Sequence, residues 1–166
     1  MTSNKAPLLC KVLLVLFGLA LTSPGAQAQS TDSDMSDLIR PVNPSGGTIP
    51  GLSKAMLVEK GSLLFLSGHV PLTADGSVAG SALDLQLRQV FQNIQETLKA
   101  ANTDFSNVVR LTIYVRDFQP EQLGLIRSVR DEFIDLSQPP ASALIGVAAL
   151  FHEDVRVEVD AVAVVP

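Results

Sequence analysis

The stretch that decides the fold is residues 83–98, Leu83-Asp-Leu-Gln-Leu-Arg-Gln-Val-Phe-Gln-Asn-Ile-Gln-Glu-Thr-Leu98. Its apolar residues recur three or four positions apart, at Leu83, Leu87, Val90, Phe91, Ile94 and Leu98. Because an α-helix repeats about every 3.6 residues, this spacing places them on one helical face. We predict an amphipathic helix from about residue 81 to residue 101, ended by Asn102 in a left-handed conformation.

Segments on both sides of this helix have the patterns of β-strands. Residues 63–66 form a short apolar run between glycines, and residues 142–150 are almost wholly apolar. Residues 108–115 and 155–164 alternate, the first with one face made by Val109, Leu111, Ile113 and Val115. Pro120 is placed to begin a second helix, whose buried stripe would be Leu123, Ile126, Val129 and Phe133. This order predicts an α+β domain with one mixed β-sheet and two helices on one face.

The second face of this predicted sheet is also apolar. It would carry Tyr114, Val162, Val164 and, from the strand at 142–150, either Leu144 and Gly146 or Ile145 and Val147. So large an apolar face is unusual on the surface of a soluble monomer. We therefore expect this face to pack against other copies of the chain.

Composition excludes several classes of function. The chain has 166 residues, 46% of them hydrophobic, and a formal charge of −5, so it lacks the basic surface that nucleic-acid binding requires. Its two histidines, His69 and His152, and one cysteine, Cys10, do not supply a zinc or iron–sulfur ligand set. We expect no metal, no cofactor and no nucleic-acid partner. His69 is expected at the surface or an interface, and residues 152–154 in a turn.

The N-terminus has the pattern of a secretory signal peptide. Lys5 and Lys11 precede an apolar run over residues 12–21, and Ala26-Gln-Ala28 follows a Ser-Pro-Gly break. The alternative is a membrane anchor, but this run is about half the length that spans a bilayer. We predict cleavage after Ala28, a periplasmic or secreted protein without a stable membrane anchor, a flexible leader over residues 29–47 and a folded domain over residues 48–166.

Six motifs of the domain occur together in one known family. They are Phe65-Leu-Ser-Gly-His-Val-Pro71, Leu98-Lys-Ala-Ala101, Val108-Val-Arg-Leu-Thr-Ile-Tyr-Val-Arg-Asp117, Pro140-Ala-Ser142, Val147-Ala-Ala-Leu150 and Val157-Glu-Val-Asp-Ala-Val-Ala163. In order and spacing the chain resembles the RidA family, also called YjgF or reactive intermediate deaminases, from about Leu52 onward. The resemblance implies a chorismate-mutase-like fold and a homotrimer with clefts between subunits.

The resemblance also implies a ligand site, which this chain keeps only in part. Active members hydrolyse 2-imino acids, with an arginine on the substrate carboxylate and a last-strand glutamate that positions water. Ser67, Gly68 and Glu158 match this pattern, whereas Ser142 stands where the arginine is expected and Leu144 where a cysteine is common. A hydroxyl replaces neither the charge nor the reach of a guanidinium.

Two candidate residues have structural alternatives. Glu158 alternates with Arg156 and Asp160, so it also fits a solvated, cross-strand-paired sheet surface. Arg127 aligns with a polar asparagine of the family and could bind an anion, or it could pair with Asp131 one helical turn later.

The sequence therefore leaves two main functions open. One is an exported, trimeric RidA-like protein that binds a small metabolite between subunits, with little or no 2-imino acid deaminase activity. The other is a hydrolase or deaminase acting on imines, enamines or related small substrates, in which Glu158 positions water. A third hypothesis is that the clefts serve only trimer packing.

Overall fold

A computed structural model describes residues 38–45 and 49–166 of the chain. This part of the chain contains six strands and two α-helices. In chain order they are β1 (Ile39–Val42), β2 (Ala55–Val58), β3 (Ser62–His69), α1 (Leu83–Ala100), β4 (Val108–Arg116), α2 (Leu123–Arg130), β5 (Ala141–Val147) and β6 (Val157–Val165). The predicted signal peptide lies outside the described residues. Neither of the two described helices combines the length and the apolar character that crossing a bilayer requires.

Four of these strands form one mixed sheet. The strand order is β3-β6-β4-β5, with β6 antiparallel to both of its neighbours and β4 parallel to β5. Parallel strands need a crossover connection, and α2 lies within the segment that joins β4 to β5. The predicted α+β arrangement, one mixed sheet with two helices, is confirmed.

The helix-covered face of the sheet is the main core. The apolar stripe of α1 is fully buried there together with Ile126 and Val129 of α2, and it packs on Leu111, Ile113, Val115, Val157, Val159 and Ala161 of the sheet. The helix ends as expected, because Asn102 adopts the left-handed conformation with φ 57°. The buried side chain of Gln86 on α1 donates to the carbonyls of Gly80 and Asp154 and accepts from the amide of Arg156.

A two-stranded hairpin covers part of the opposite face. Strands β1 and β2 pair antiparallel, and Leu38 and Ile39, only 3% and 4% exposed, pack against Val109 and Val164. The sequence analysis placed residues 29–47 in a flexible leader, and for residues 39–42 that interpretation is wrong. Leu38 and Ile39 are buried against the sheet here. The low overall hydrophobicity of residues 29–47 gave no indication of this contact.

The hairpin also changes two predictions about the sheet faces. Alternation predicts Val109 on the helix side, but a bulge between Val108 and Arg110 turns it to the hairpin side. Val164, expected on an open face, is fully buried under the hairpin rather than exposed for another copy. On β5, Leu144 packs against the helix-side core, so Ile145 and Val147 are the residues of the opposite face.

Candidate functional site

An irregularity in strand β3 forms the centre of the candidate site. Leu66 pairs with Ala161 and His69 pairs with Val159, so three residue steps on β3 oppose two on β6. The extra residue makes a β-bulge at Ser67–Gly68, and both of these residues are solvent-exposed. A bulge leaves backbone groups outside the regular hydrogen-bond ladder, where they are available to a ligand.

Glu158 of β6 lies directly against this bulge. A Cβ built on Gly68 would be 1.8 Å from Oε1 of Glu158 and 2.8 Å from its Cδ, so the carboxylate occupies the space that any larger residue would need. Glycine is thus required for this approach. The structure brings Ser67, Gly68 and Glu158 together, as the sequence analysis expected.

Strand β4 adds a phenol and β6 a second carboxylate to the same face. Tyr114 is the cross-strand partner of Glu158, and its hydroxyl donates to Oδ2 of Asp160 over 3.0 Å. The hydrogen bond to Asp160 raises the pKa of the Tyr114 phenol, and the negative charges of Asp160 and Glu158 raise it further. The alternation of β6 already places Asp160 on the Glu158 face, but no sequence pattern indicates its contact with Tyr114.

Ser142 and Leu144 lie elsewhere in the protomer. Both are on β5, where Ser142 pairs with Leu111 and Leu144 contacts the helix-side core, so they face away from Glu158. Strands β3 and β5 are the two edges of the four-stranded sheet, about 14 Å apart at roughly 4.8 Å per strand spacing. Within one protomer, Ser142 therefore does not meet the Gly68–Glu158 pair.

Arg127 also lies away from this pair. It is exposed on α2, and α2 covers the face of the sheet opposite Glu158. The alternative pairing of Arg127 with Asp131 is not formed in the described part of the chain, where Asp131 accepts from Nε and Nη2 of Arg130 over 2.9 and 2.6 Å. Arg130 is only 6% exposed and lies beside Gly51, whose φ of +70° favours glycine.

A separate cleft of about 750 Å³ lies between two loops. Its lining includes Arg116, Arg156 and residues 152–154, which form the predicted turn. Arg116 donates to the Glu153 carbonyl and Arg156 to the Ser81 carbonyl, so both guanidinium groups bind backbone oxygens of the loops. Among residues 38–45 and 49–166, no group of three or more His, Cys, Asp or Glu side chains is arranged to hold a metal ion.

Comparisons with known proteins agree with this fold. Residues 48–165 match the family model described as Endoribonuclease L-PSP. The human 2-iminobutanoate/2-iminopropanoate deaminase is 31% identical over 134 residues, covering 78% of this chain and 93% of that protein. Protein DfrA of Myxococcus xanthus is 34% identical over 113 residues, covering 68% of this chain and 83% of the relative.

A solved structure supports the same assignment. The crystal structure of YyfB from Yersinia pestis, described as a conserved Rid family protein of unknown function, superimposes with a TM-score of 0.70 at 32% identity. The match covers 77% of this chain and 99% of the Yersinia chain. With a family model that spans nearly the whole folded domain, the chain belongs to the Endoribonuclease L-PSP family, also known as the RidA or YjgF family.

Proposed function

We propose that this protein binds a small metabolite in clefts between copies of the chain, as a homotrimer, and that it has little or no 2-imino acid deaminase activity. The observation that carries this proposal is the split of the site between the two sheet edges. Gly68 lies on the edge strand β3, beside Glu158 on the neighbouring strand β6, and Ser142 lies on the other edge strand, about 14 Å from β3, and on the other face. A second copy is the simplest way to bring the two halves together.

The surface around Glu158 fits such an assembly. Phe65 is 73% exposed and Ile145 is 40% exposed on the sheet face that the helices leave open. Large exposed aromatic and aliphatic side chains on one face are typical of an interface between subunits. The identity of residue 142 then determines the activity. The family resemblance implies an arginine at this position, bound to the substrate carboxylate, where this chain has serine.

The free energy at stake favours loss of the family's usual activity. A hydrogen bond to a charged group contributes about 1.5–3 kcal/mol, which corresponds to roughly 10- to 150-fold in rate if it acts in the transition state. A serine hydroxyl supplies no positive charge and is several bonds shorter than arginine. We therefore expect weak turnover of carboxylate-bearing imines.

The test measures hydrolysis of freshly generated 2-iminopropanoate, by the loss of its semicarbazone, in wild type and in Ser142→Arg. We expect wild type to remain close to the uncatalysed rate and Ser142→Arg to gain at least about tenfold. Ser142→Lys is the matched variant, since it restores the charge without the bidentate geometry. Wild-type turnover equal to that of the human deaminase would refute the binding proposal.

The contact of Glu158 with the Gly68 bulge favours a second candidate function. In that alternative the protein is a hydrolase for imines, enamines or related substrates, with the Glu158 carboxylate positioning the attacking water. It predicts turnover of imines that lack a carboxylate, abolished by Glu158→Gln but not by Asp160→Asn. Equal rates in wild type and Glu158→Gln would exclude it.

The proposal also includes Arg127 as a candidate ligand-binding residue, and binding measurements test this role. If a second copy brings α2 to the cleft, Arg127 would bind an anionic ligand in place of the missing arginine. A thermal-shift series with pyruvate and 2-oxobutanoate should then respond less in Arg127→Ala than in wild type. An unchanged response would remove Arg127 from the site.

Export of the protein is proposed on the N-terminal sequence alone. Processing after Ala28 would leave Gln29 as the new N-terminus and would remove the only cysteine. Cell fractionation with N-terminal sequencing should find the processed chain outside the cytoplasm. An unprocessed cytoplasmic chain would contradict this part of the proposal.

A further inference from the structure

Helix α1 carries a row of three polar side chains that faces the end of strand β3. Gln89, Asn93 and Thr97 are four residues apart, so they lie on one line along the helix. Nε2 of Gln89 donates to Oδ1 of Asn93 over 2.9 Å, which orients the Asn93 amide. Nδ2 of Asn93 then donates to the carbonyls of Val70 and Leu72, over 3.0 and 2.9 Å. The helix thus holds the chain just beyond the bulge.

The last member of this row reaches the bulge through an imidazole. Oγ1 of Thr97 and Nε2 of His69 are 2.8 Å apart, and Nδ1 of His69 lies 2.8 Å from the carbonyl oxygen of Ser67. A carbonyl only accepts hydrogen bonds, so Nδ1 carries the proton. In the neutral ring Nε2 is an acceptor, and the single Thr97 hydroxyl proton is then shared between Nε2 and the Asn93 carbonyl, which is 3.1 Å from Oγ1. His69 is half-buried, and its ring is fixed at both nitrogens.

These contacts connect helix α1 to the Ser67–Gly68 bulge of strand β3. The bulge loses regular ladder hydrogen bonds, and the His69 ring supplies one to the Ser67 carbonyl. On the opposite side of the same two residues, the Glu158 carboxylate lies against Gly68. A shift of the bulge would therefore change the distance between the Gly68 backbone and the Glu158 carboxylate.

We propose that His69 and Thr97 are positioning residues, which set the Ser67–Gly68 bulge against the Glu158 carboxylate without touching the ligand themselves. The inference rests on the proposed function for its effect on ligands, but its structural part stands on these contacts alone. Groups that act on a reacting atom must be held to fractions of an ångström, so loss of such a support lowers catalysis more than binding.

The decisive variant is Thr97→Val, which removes the hydroxyl and keeps the shape of the side chain. Thr97→Ser is the rescue variant, since it keeps the hydroxyl. Thr103→Val is the matched control, because it also removes a threonine hydroxyl, one that donates to the Val164 carbonyl over 2.8 Å at the hairpin-covered end of β6 and makes no contact with His69. If Thr97 has only a structural role, Thr97→Val and Thr103→Val should lower stability and leave the Gly68 site equally unaffected.

The first readout does not depend on any activity. In ¹H–¹⁵N NMR spectra, Thr97→Val should move the Gly68 amide resonance and speed its hydrogen exchange by about fivefold, since a lost hydrogen bond is worth about 1 kcal/mol. Thr97→Ser and Thr103→Val should leave Gly68 close to wild type. An unchanged Gly68 amide in Thr97→Val would overturn the inference.

The second readout uses the activity gained by Ser142→Arg with 2-iminopropanoate. In that background, Thr97→Val should lower kcat by about tenfold with KM changed less than about twofold, and Thr97→Ser should restore kcat. If Ser142→Arg is inactive while Gly68 still moves in Thr97→Val, the proposed function fails and the positioning inference survives. A kcat unaffected by Thr97→Val in an active Ser142→Arg protein would refute the positioning role.

Discussion

The two faces of the four-stranded sheet differ in what covers them. On one face, α1 and α2 bury a continuous apolar layer. On the other, the β1–β2 hairpin covers only the end near Val109 and Val164, and the remainder presents Phe65, Tyr114 and Glu158. One chain therefore satisfies the first face by itself and leaves the second incomplete. Folding of one chain thus depends on the helix-covered side of the strands, whereas the proposed assembly depends on the open side.

The largest effect is expected on the helix-covered face. Leu87→Ala should lower the free energy of unfolding by about 3 kcal/mol, because Leu87 is fully buried and its loss leaves a cavity. Leu85→Ala, on the same helix but 53% exposed, should change it by less than about 0.5 kcal/mol. Urea unfolding followed by circular dichroism measures both. Similar losses of unfolding free energy in the two variants would show that the core does not lie on the helix-covered face.

A smaller but still substantial loss should follow Ile39→Ala in the hairpin. Ile39 is 4% exposed against the sheet, so its truncation should cost about 2 kcal/mol in the same urea experiment. Val42→Ala, in the same strand but 36% exposed, serves as the control and should cost less than about 1 kcal/mol. An unchanged free energy of unfolding in Ile39→Ala would instead support the flexible leader that the sequence indicated for this segment.

On the open face, substitution should affect assembly rather than the fold of one chain. Phe65→Ser should reduce the molar mass in light scattering about threefold, from that of the proposed trimer to that of a monomer, while the circular dichroism spectrum stays the same. Leu125→Ser, which removes an exposed leucine from the outer side of α2, should leave the mass unchanged. A Phe65→Ser protein that keeps the wild-type mass would show that this surface does not take part in assembly.

The smallest effect concerns ionisation on the open face, where Tyr114 is the only tyrosine of the chain. Its phenolate absorbance therefore reports one site, and Asp160→Asn should lower the Tyr114 pKa toward the ordinary value of about 10. The pKa is raised in the folded chain, so the associated stability is present below about pH 10 and is lost as the pH rises through the raised pKa. Asp104→Asn, which removes a carboxylate near the other end of β4, should not change the titration.

Sequence patterns predicted the elements whose periodicity is long and regular. The stripe of α1 specified that helix to within two residues at either end, and the alternation of β6 specified its core face. The bulge at Val109 was not predictable, because a one-residue shift there leaves no signal in the sequence pattern. The bulge at Gly68 was indicated, because a glycine inside a strand suggests a bulge or a close backbone approach, and the structure has both. The Leu38-Ile39 pair was too short to identify a strand without its partner surface.

The sequence predicted only the part of the candidate site whose residues lie on neighbouring strands. Ser67, Gly68 and Glu158 lie on neighbouring strands, so the matched motifs placed them together. Ser142 stands at the position where its motif has an arginine, and strand order and face separate it from Glu158 within the protomer. The link from Thr97 through His69 joins residues 28 positions apart through side-chain atoms, and no spacing rule reports such a contact.

The central place of β6 has a consequence for how the chain folds during synthesis. Strand β3 pairs only with β6 in the four-stranded sheet, so β3 and one side of β4 stay unpaired until residues 157–165 have left the ribosome. Strands that wait for a distant partner are prone to associate with other nascent chains. We expect this domain to depend on prompt release or on a chaperone, and a nascent chain stalled before residue 157 to remain sensitive to protease.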